Sequence, residues 1–88
     1  MTKRYFKSAT ETPIGNGEVY VEFDGEWATR QVDVIGQRWF CSHGHTYHEE
    51  IGLSLTDQAL STLEPDPEDE ISAAEFEEVW REALRRCQ

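Results

Sequence analysis

The stretch "EISAAEFEEVWREALRRC", residues 70–87, constrains the fold more than any other part of the chain. Ser72 and Glu75 stand three apart as S-x-x-E, the spacing of a capping box, in which the serine hydroxyl accepts from an otherwise orphan helical N–H. Ile71 before the cap and Phe76 at the fourth helical position are placed to act as a hydrophobic staple. Phe76, Val79, Trp80, Ala83, Leu84 and Cys87 then recur at helical spacing and form one apolar stripe. Glu75, Glu77 and Glu78 lie near the positive end of the helix dipole, and Arg81, Arg85 and Arg86 near the negative end. Glu77 with Arg81, and Glu82 with Arg86, are i, i+4 pairs in the favourable order. Such a stripe is stable only against another apolar surface, which the rest of the chain must supply.

The first half supplies it as strands. "EVYVEFD" alternates, with Val19, Val21 and Phe23 on one face and Glu18, Tyr20, Glu22 and Asp24 on the other. Asp24-Gly25 is a strong hairpin signal, because a type I′ turn needs positive φ at both central residues. That turn predicts Val21 opposite Ala28 and Glu22 opposite Trp27. It also puts Ala28, Val32 and Val34 on the face of Val21, and Arg30 falls there too, opposite Val19, as a break in the pattern. Gly36-Gln37 predicts a second tight turn, "RWFCS" a further strand, and "RYFKSA" a short run before the turn residues of "TPIGNG". After the strands, Thr56 is placed to cap a short helix "DQALSTL", with Leu55 and Leu60 as its staple, and Pro65 and Pro67 end it. The expected fold is α+β, an antiparallel meander of three to four strands. A C-terminal amphipathic helix covers one face of the meander, with a short helix before it, in a single domain over residues 1–88.

Charge limits the partners. The 88 residues carry 18 acids and 8 bases, a net charge of −10, and nine of the acids fall in residues 61–88. A chain of this sign repels nucleic acid and anionic membranes, so another protein with a basic patch is the expected partner. No apolar run approaches the length of a membrane span. The start, "MTKRYFKSAT", lacks the apolar core of a signal peptide, and two cysteines make no secreted disulfide framework. These features predict a cytoplasmic location.

Two segments invite a functional reading. "FCSHGHTYHEE" holds all three histidines. Cys41, His43, His45 and His48 give four acceptable zinc ligands, with Gly44 able to turn the chain. Zinc sites usually draw ligands from two separated pairs, however, and this run is one compact segment. A thiol nucleophile at Cys41 would need an oxyanion device that the sequence does not display. The plainer account buries Cys41 at a strand end and leaves His43, Gly44 and His45 as a polar turn. On that account Trp39, His43, His45, Tyr47 and His48 form a contact surface, and no cofactor is expected. The second segment, "EPDPEDE", lacks calcium-loop spacing. It is either a solvated linker or, through Glu68, Asp69, Glu70, Glu75 and Glu78, a surface that steers a basic partner.

"RYFK…VYVEFDGEWATRQVDVIGQRWF" followed by "EISAAEFEEVW" resembles a family of small uncharacterised bacterial domains, common in cyanobacteria. Some of these stand beside polymorphic toxins as immunity proteins. The resemblance implies the same meander-and-helix order and a non-enzymatic role, and it transfers no catalytic residue. The expected function is a small acidic protein-binding module of inhibitor, immunity or assembly-adaptor type. One alternative is a nucleic-acid mimic that inhibits a DNA- or RNA-binding protein. Another is a small zinc-binding domain through Cys41, His43, His45 and His48.

Overall fold

The computed structural model describes residues 2–43, 47–48, 53–56 and 58–87. Strands β1 (Lys3–Thr12), β2 (Gly15–Asp24), β3 (Trp27–Ile35) and β4 (Arg38–His43) form the expected antiparallel meander. The two-residue strands β5 (Tyr47–His48) and β6 (Leu53–Ser54) pair with each other as a separate hairpin. A short helix α1 (Leu60–Leu63) and a 3₁₀ turn (Pro67–Asp69) lead to β7 (Glu70–Ile71) and the long helix α2 (Ala73–Arg86). β7 adds a fifth strand to the sheet by pairing with Tyr5 and Phe6, giving the order β4-β3-β2-β1-β7. Gly36 turns the chain between β3 and β4 with φ of 63°, in the left-handed region that glycine enters without steric cost.

The second hairpin differs from its expected register in two ways. Its turn residues are Gly25 and Glu26, so that Asp24 faces Trp27 and Phe23 faces Ala28. The pairing then slips, and Glu22 faces Arg30, leaving Thr29 as the extra residue of a β-bulge. A one-residue slip moves every later side chain to the opposite face. Arg30, Val32 and Val34 therefore join Tyr20 and Glu22, whereas Gln31 and Asp33 join Val21 and Val19. The arginine that looked like a break in the apolar face marks the point where the strand changes faces.

Both faces of the sheet are covered as a result. On one face, Leu60 of α1 packs with Phe6, Val21 and Phe23 into the main apolar cluster. The expectation that α2 covers this face is corrected. The C-terminal helix lies on the other face, where Phe76 meets Tyr5 at 5.2 Å between ring centroids and Trp80 meets the edge of His43. The start of α2 is as the sequence predicts, with the Glu75 N–H donating to Ser72 Oγ at 3.0 Å. Within the apolar stripe Phe76 and Ala83 are fully buried, Val79, Trp80 and Cys87 are half-buried, and Leu84 is 49% exposed. α1 begins later than expected, at Leu60, and has no side-chain cap. Thr56 instead accepts the Gln58 N–H, while its own N–H donates to Gln31 Oε1 and ties this segment to β3. Glu64 ends α1 in the left-handed conformation, with φ of 46°. Among the described residues no helix is long and apolar enough to cross a membrane.

The stripe therefore divides into unequal parts. Phe76→Ala should cost about 3–5 kcal/mol, because it empties a fully buried site between sheet and helix. Leu84→Ala, one of the same six stripe positions, should stay within about 0.5 kcal/mol, as surface changes do. Urea unfolding of both variants checks the contrast, and equal losses would mean that α2 docks by a different face.

Candidate functional site

Three groups of polar side chains stand out, and the first is internal. Glu22 is 2% exposed, yet it sits at the centre of the sheet face under α2. Its carboxylate accepts from Arg30 Nε at 2.8 Å, from Arg30 Nη2 at 2.6 Å and from Thr29 Oγ1 at 2.6 Å. The Tyr5 hydroxyl also donates to it. The bulge is what presents Thr29 and Arg30 together to one carboxylate. Arg30 reaches across to α2 as well, donating to Glu77 through Nη1 at 3.2 Å and Nη2 at 2.6 Å. Its guanidinium lies 5.1 Å from the ring centroids of both Phe76 and Trp80, which stack nearly parallel. Hydrogen bonding from Arg30 outweighs burial and holds the Glu22 carboxyl down at about 2. The paired carboxylates raise Arg30 above its ordinary value. With every lobe of the carboxylate occupied and a helix above it, this network binds sheet to helix and has no open side for a substrate.

The second group is the acidic one. Glu68 and Asp69 line a groove at the outer edge of β1, together with Lys7, Ser8, Ala9, Glu18 and Ile71. Lys7 Nζ lies 3.3 Å from Glu18 and 5.5 Å from the centre of the Tyr20 ring. Tyr20 is pushed above its ordinary value, first by burial and then by the charge of Glu18, with Glu75 adding to the effect. The charges of Glu18 and Glu75, from a strand and from the helix start, thus act on the same ring. Glu70 belongs to a different arrangement, because it accepts a two-pronged bond from Arg4 at 3.0 and 3.1 Å. That bond holds Glu70 below the usual carboxylate range. Glu75 and Glu78 are exposed along the first half of α2.

The third group is the aromatic and sulfur end. Trp39, Cys41 and His43 all point to the face under α2, being opposite Val34, Val32 and Arg30. Trp39 is half-buried beneath the end of the helix, with the Arg86 guanidinium 5.0 Å from its ring. The Cys87 thiol donates to the Trp39 carbonyl at 3.1 Å. Burial, with the Cys41 thiol alongside, pushes the Cys87 thiol up to about 12. His43 is exposed at the sheet margin, edge-on to Trp80. His45, and the side chains of Tyr47 and His48, lie outside the described residues. Among the described residues no three potential ligands gather around one point. Of the four zinc-ligand candidates, Cys41 and His43 stand two apart on the α2-facing side of β4.

The structure thus separates the sequence-derived contact residues into two sets. Trp39 and His43 belong to β4, whereas Glu70 belongs to β7 and Glu68 and Asp69 to the 3₁₀ turn just before it, and β4 and β7 are the opposite edges of the five-stranded sheet. At the usual strand spacing those edges are roughly 19 Å apart. Sequence reasoning missed the contribution of Glu18 and Lys7 to the acidic groove, since strand pairing brings them together across β1 and β2. It also missed the buried Glu22–Arg30 pair, whose signal was the charged residue at an apolar position of β3. Trp27, 59% exposed beside the Gly25-Glu26 turn, is another surface aromatic. No protein-family model, curated protein or solved structure matches this chain.

The internal pair has a pH consequence. The folded-state carboxyl of Glu22 titrates near 2 and the ordinary value is 4.5, so its contribution is present above about pH 4.5 and is lost as pH falls towards 2. The loss should amount to about 3 kcal/mol. Arg30→Gln should cost about 3–5 kcal/mol at pH 7, since it strands a buried carboxylate. Adding Glu22→Gln to that variant should recover part of the loss and flatten the acid limb of the stability profile. Chemical denaturation of the single and double variants between pH 2 and 7 (roughly the range set by these titrations) tests this cycle. Strictly additive losses would show that the two side chains do not act as a pair.

Proposed function

We propose that this chain is a small acidic, non-enzymatic protein-binding module of inhibitor, immunity or assembly-adaptor type. It acts in the cytoplasm of a bacterium on a partner with a basic patch. One observation carries the reading: the acids of the 3₁₀ turn converge with an acid of β2. Glu68 and Asp69 share the groove at the β1 edge with Glu18. Lys7, paired with Glu18, offsets only part of that charge. Glu75 and Glu78 extend the same sign along the exposed start of α2. The acids therefore form a one-signed field at one side of the domain, which steers the approach of an oppositely charged surface. The buried ionisable pair supports a non-catalytic role, because Glu22 and Arg30 are consumed in holding α2 to the sheet. The resemblance to immunity-type domains points the same way.

The test is surface plasmon resonance with a partner captured from the native host, at two salt concentrations. Exposed charges are screened over about 8 Å at physiological ionic strength, so added salt should slow association. A variant carrying Glu68→Gln, Asp69→Asn, Glu75→Gln and Glu78→Gln should associate about tenfold more slowly at low salt, with a smaller change in dissociation. Glu70 is left intact because Arg4 already engages it. An association rate indifferent to both salt and neutralisation would reduce the acidic side to a solvated surface. Competition by DNA or RNA for the same partner would favour nucleic-acid mimicry instead.

A further inference from the structure

The two cysteines, about half the chain apart in sequence, meet in the fold. Cys41 stands in β4 opposite Val32, on the face that α2 covers. Cys87 is the residue that ends α2. Its thiol donates at 3.1 Å to the carbonyl of Trp39, two residues before Cys41, and lies near enough to the Cys41 thiol for the two to influence each other. Both side chains are half-buried. Arg86 stacked over Trp39 holds this end of the helix in place. Cys87 lies beyond the last helical residue, so its side chain can shift with little disturbance to the helical hydrogen bonds. The chain has no third cysteine to compete.

We propose that Cys41 and Cys87 form a reversible oxidation site, closed by exchange with a low-molecular-weight disulfide such as oxidised glutathione. The Cys41 thiolate attacks one sulfur of the reagent. The reagent's S–S bond breaks, one reagent thiolate leaves, and Cys41 becomes a mixed disulfide. The Cys87 thiolate then attacks the Cys41 sulfur, the mixed bond breaks, and the second reagent thiolate leaves. Two electrons pass from the protein to the reagent, and the two thiol protons end on the released reagent thiols. Burial disfavours the Cys87 thiolate, so Cys87 is the later of the two to react and resolves the mixed disulfide after giving up its proton to solvent. The product fastens the C-terminal end of α2 to β4, and a reducing thiol pool reopens it.

The experiment incubates the dilute protein with excess oxidised glutathione, blocks remaining thiols under denaturing conditions, and measures intact mass, tryptic fragments and melting temperature. The expected product is a monomer about 2 Da lighter than the dithiol form that takes up no blocking reagent. Its tryptic fragment 39–81 should carry residues 87–88. It should melt roughly 10 °C above the dithiol form, because the cross-link closes a long loop in the unfolded chain. Cys87→Ser should instead hold one glutathione at Cys41 and show no such rise. Two glutathiones on the parent chain, a disulfide-linked dimer, or a cross-linked monomer melting at or below the dithiol form would each overturn the proposal.

Discussion

The ion pair between Glu22 and Arg30 is the contact on which the rest of the arrangement depends. A carboxylate buried in a sheet is tolerated only when its desolvation is offset by charge and by hydrogen bonds to each oxygen. Here Arg30, Thr29 and Tyr5 provide them. The bulge at Thr29 is the local device that makes this possible, since it sets two consecutive side chains against one. Arg30 then passes the connection on to Glu77 and to the rings of Phe76 and Trp80. One guanidinium thus ties strand to strand and sheet to helix, and it specifies which face the helix occupies.

That choice of face determines what each surface can do. With α2 on the Tyr5, Arg30 and Val32 side, Trp39 and Cys41 are half-buried near the end of the helix. The opposite face carries the cluster of Phe6, Val21, Phe23 and Leu60. Among the described residues, the large apolar side chains left exposed are Ile14, Trp27, Leu63 and Leu84. Acids of β2, the 3₁₀ turn and the start of α2 form a charged surface beside the groove at the edge of β1. Charge-led recognition suits a surface of that sort, because it speeds encounter without demanding a large apolar patch.

The two ends of α2 carry different roles. Its first turns are acidic and capped by Ser72, beside the groove at the edge of β1. Its last turn brings Arg86 and Cys87 onto Trp39 and Cys41. The helix is thus an element with a charged, exposed start and a sulfur-bearing, sheet-anchored end. The sequence spacing shows both ends, but only packing shows what each end meets.

Local chemistry in the sequence determined the elements. The Ser72 cap, the helix with its 3.6-residue spacing, the strand at β2 and the Gly36 turn depend on residues within a few positions of one another, and each appears in the structure, though Leu84 of the stripe is exposed and Glu22 of the polar strand face is buried. The class of fold follows from them, because a helix with an apolar stripe and a meander of amphipathic strands must pack on one another, on whichever face. The placement of α2 was not legible, because it turns on a single extra residue in β3. Strand parity inverts with one insertion, and neither Arg30 nor Thr29 signals by itself which side it will take. The acidic groove was half legible: the run at residues 64–70 is plain in the sequence, but Glu18 and Lys7 reach it only through the pairing of β1 with β2. The meeting of Cys41 and Cys87 was not legible at all. Only tertiary structure decided these contacts, because each joins groups far apart in the chain, and sequence periodicity carries no information about which distant faces come together.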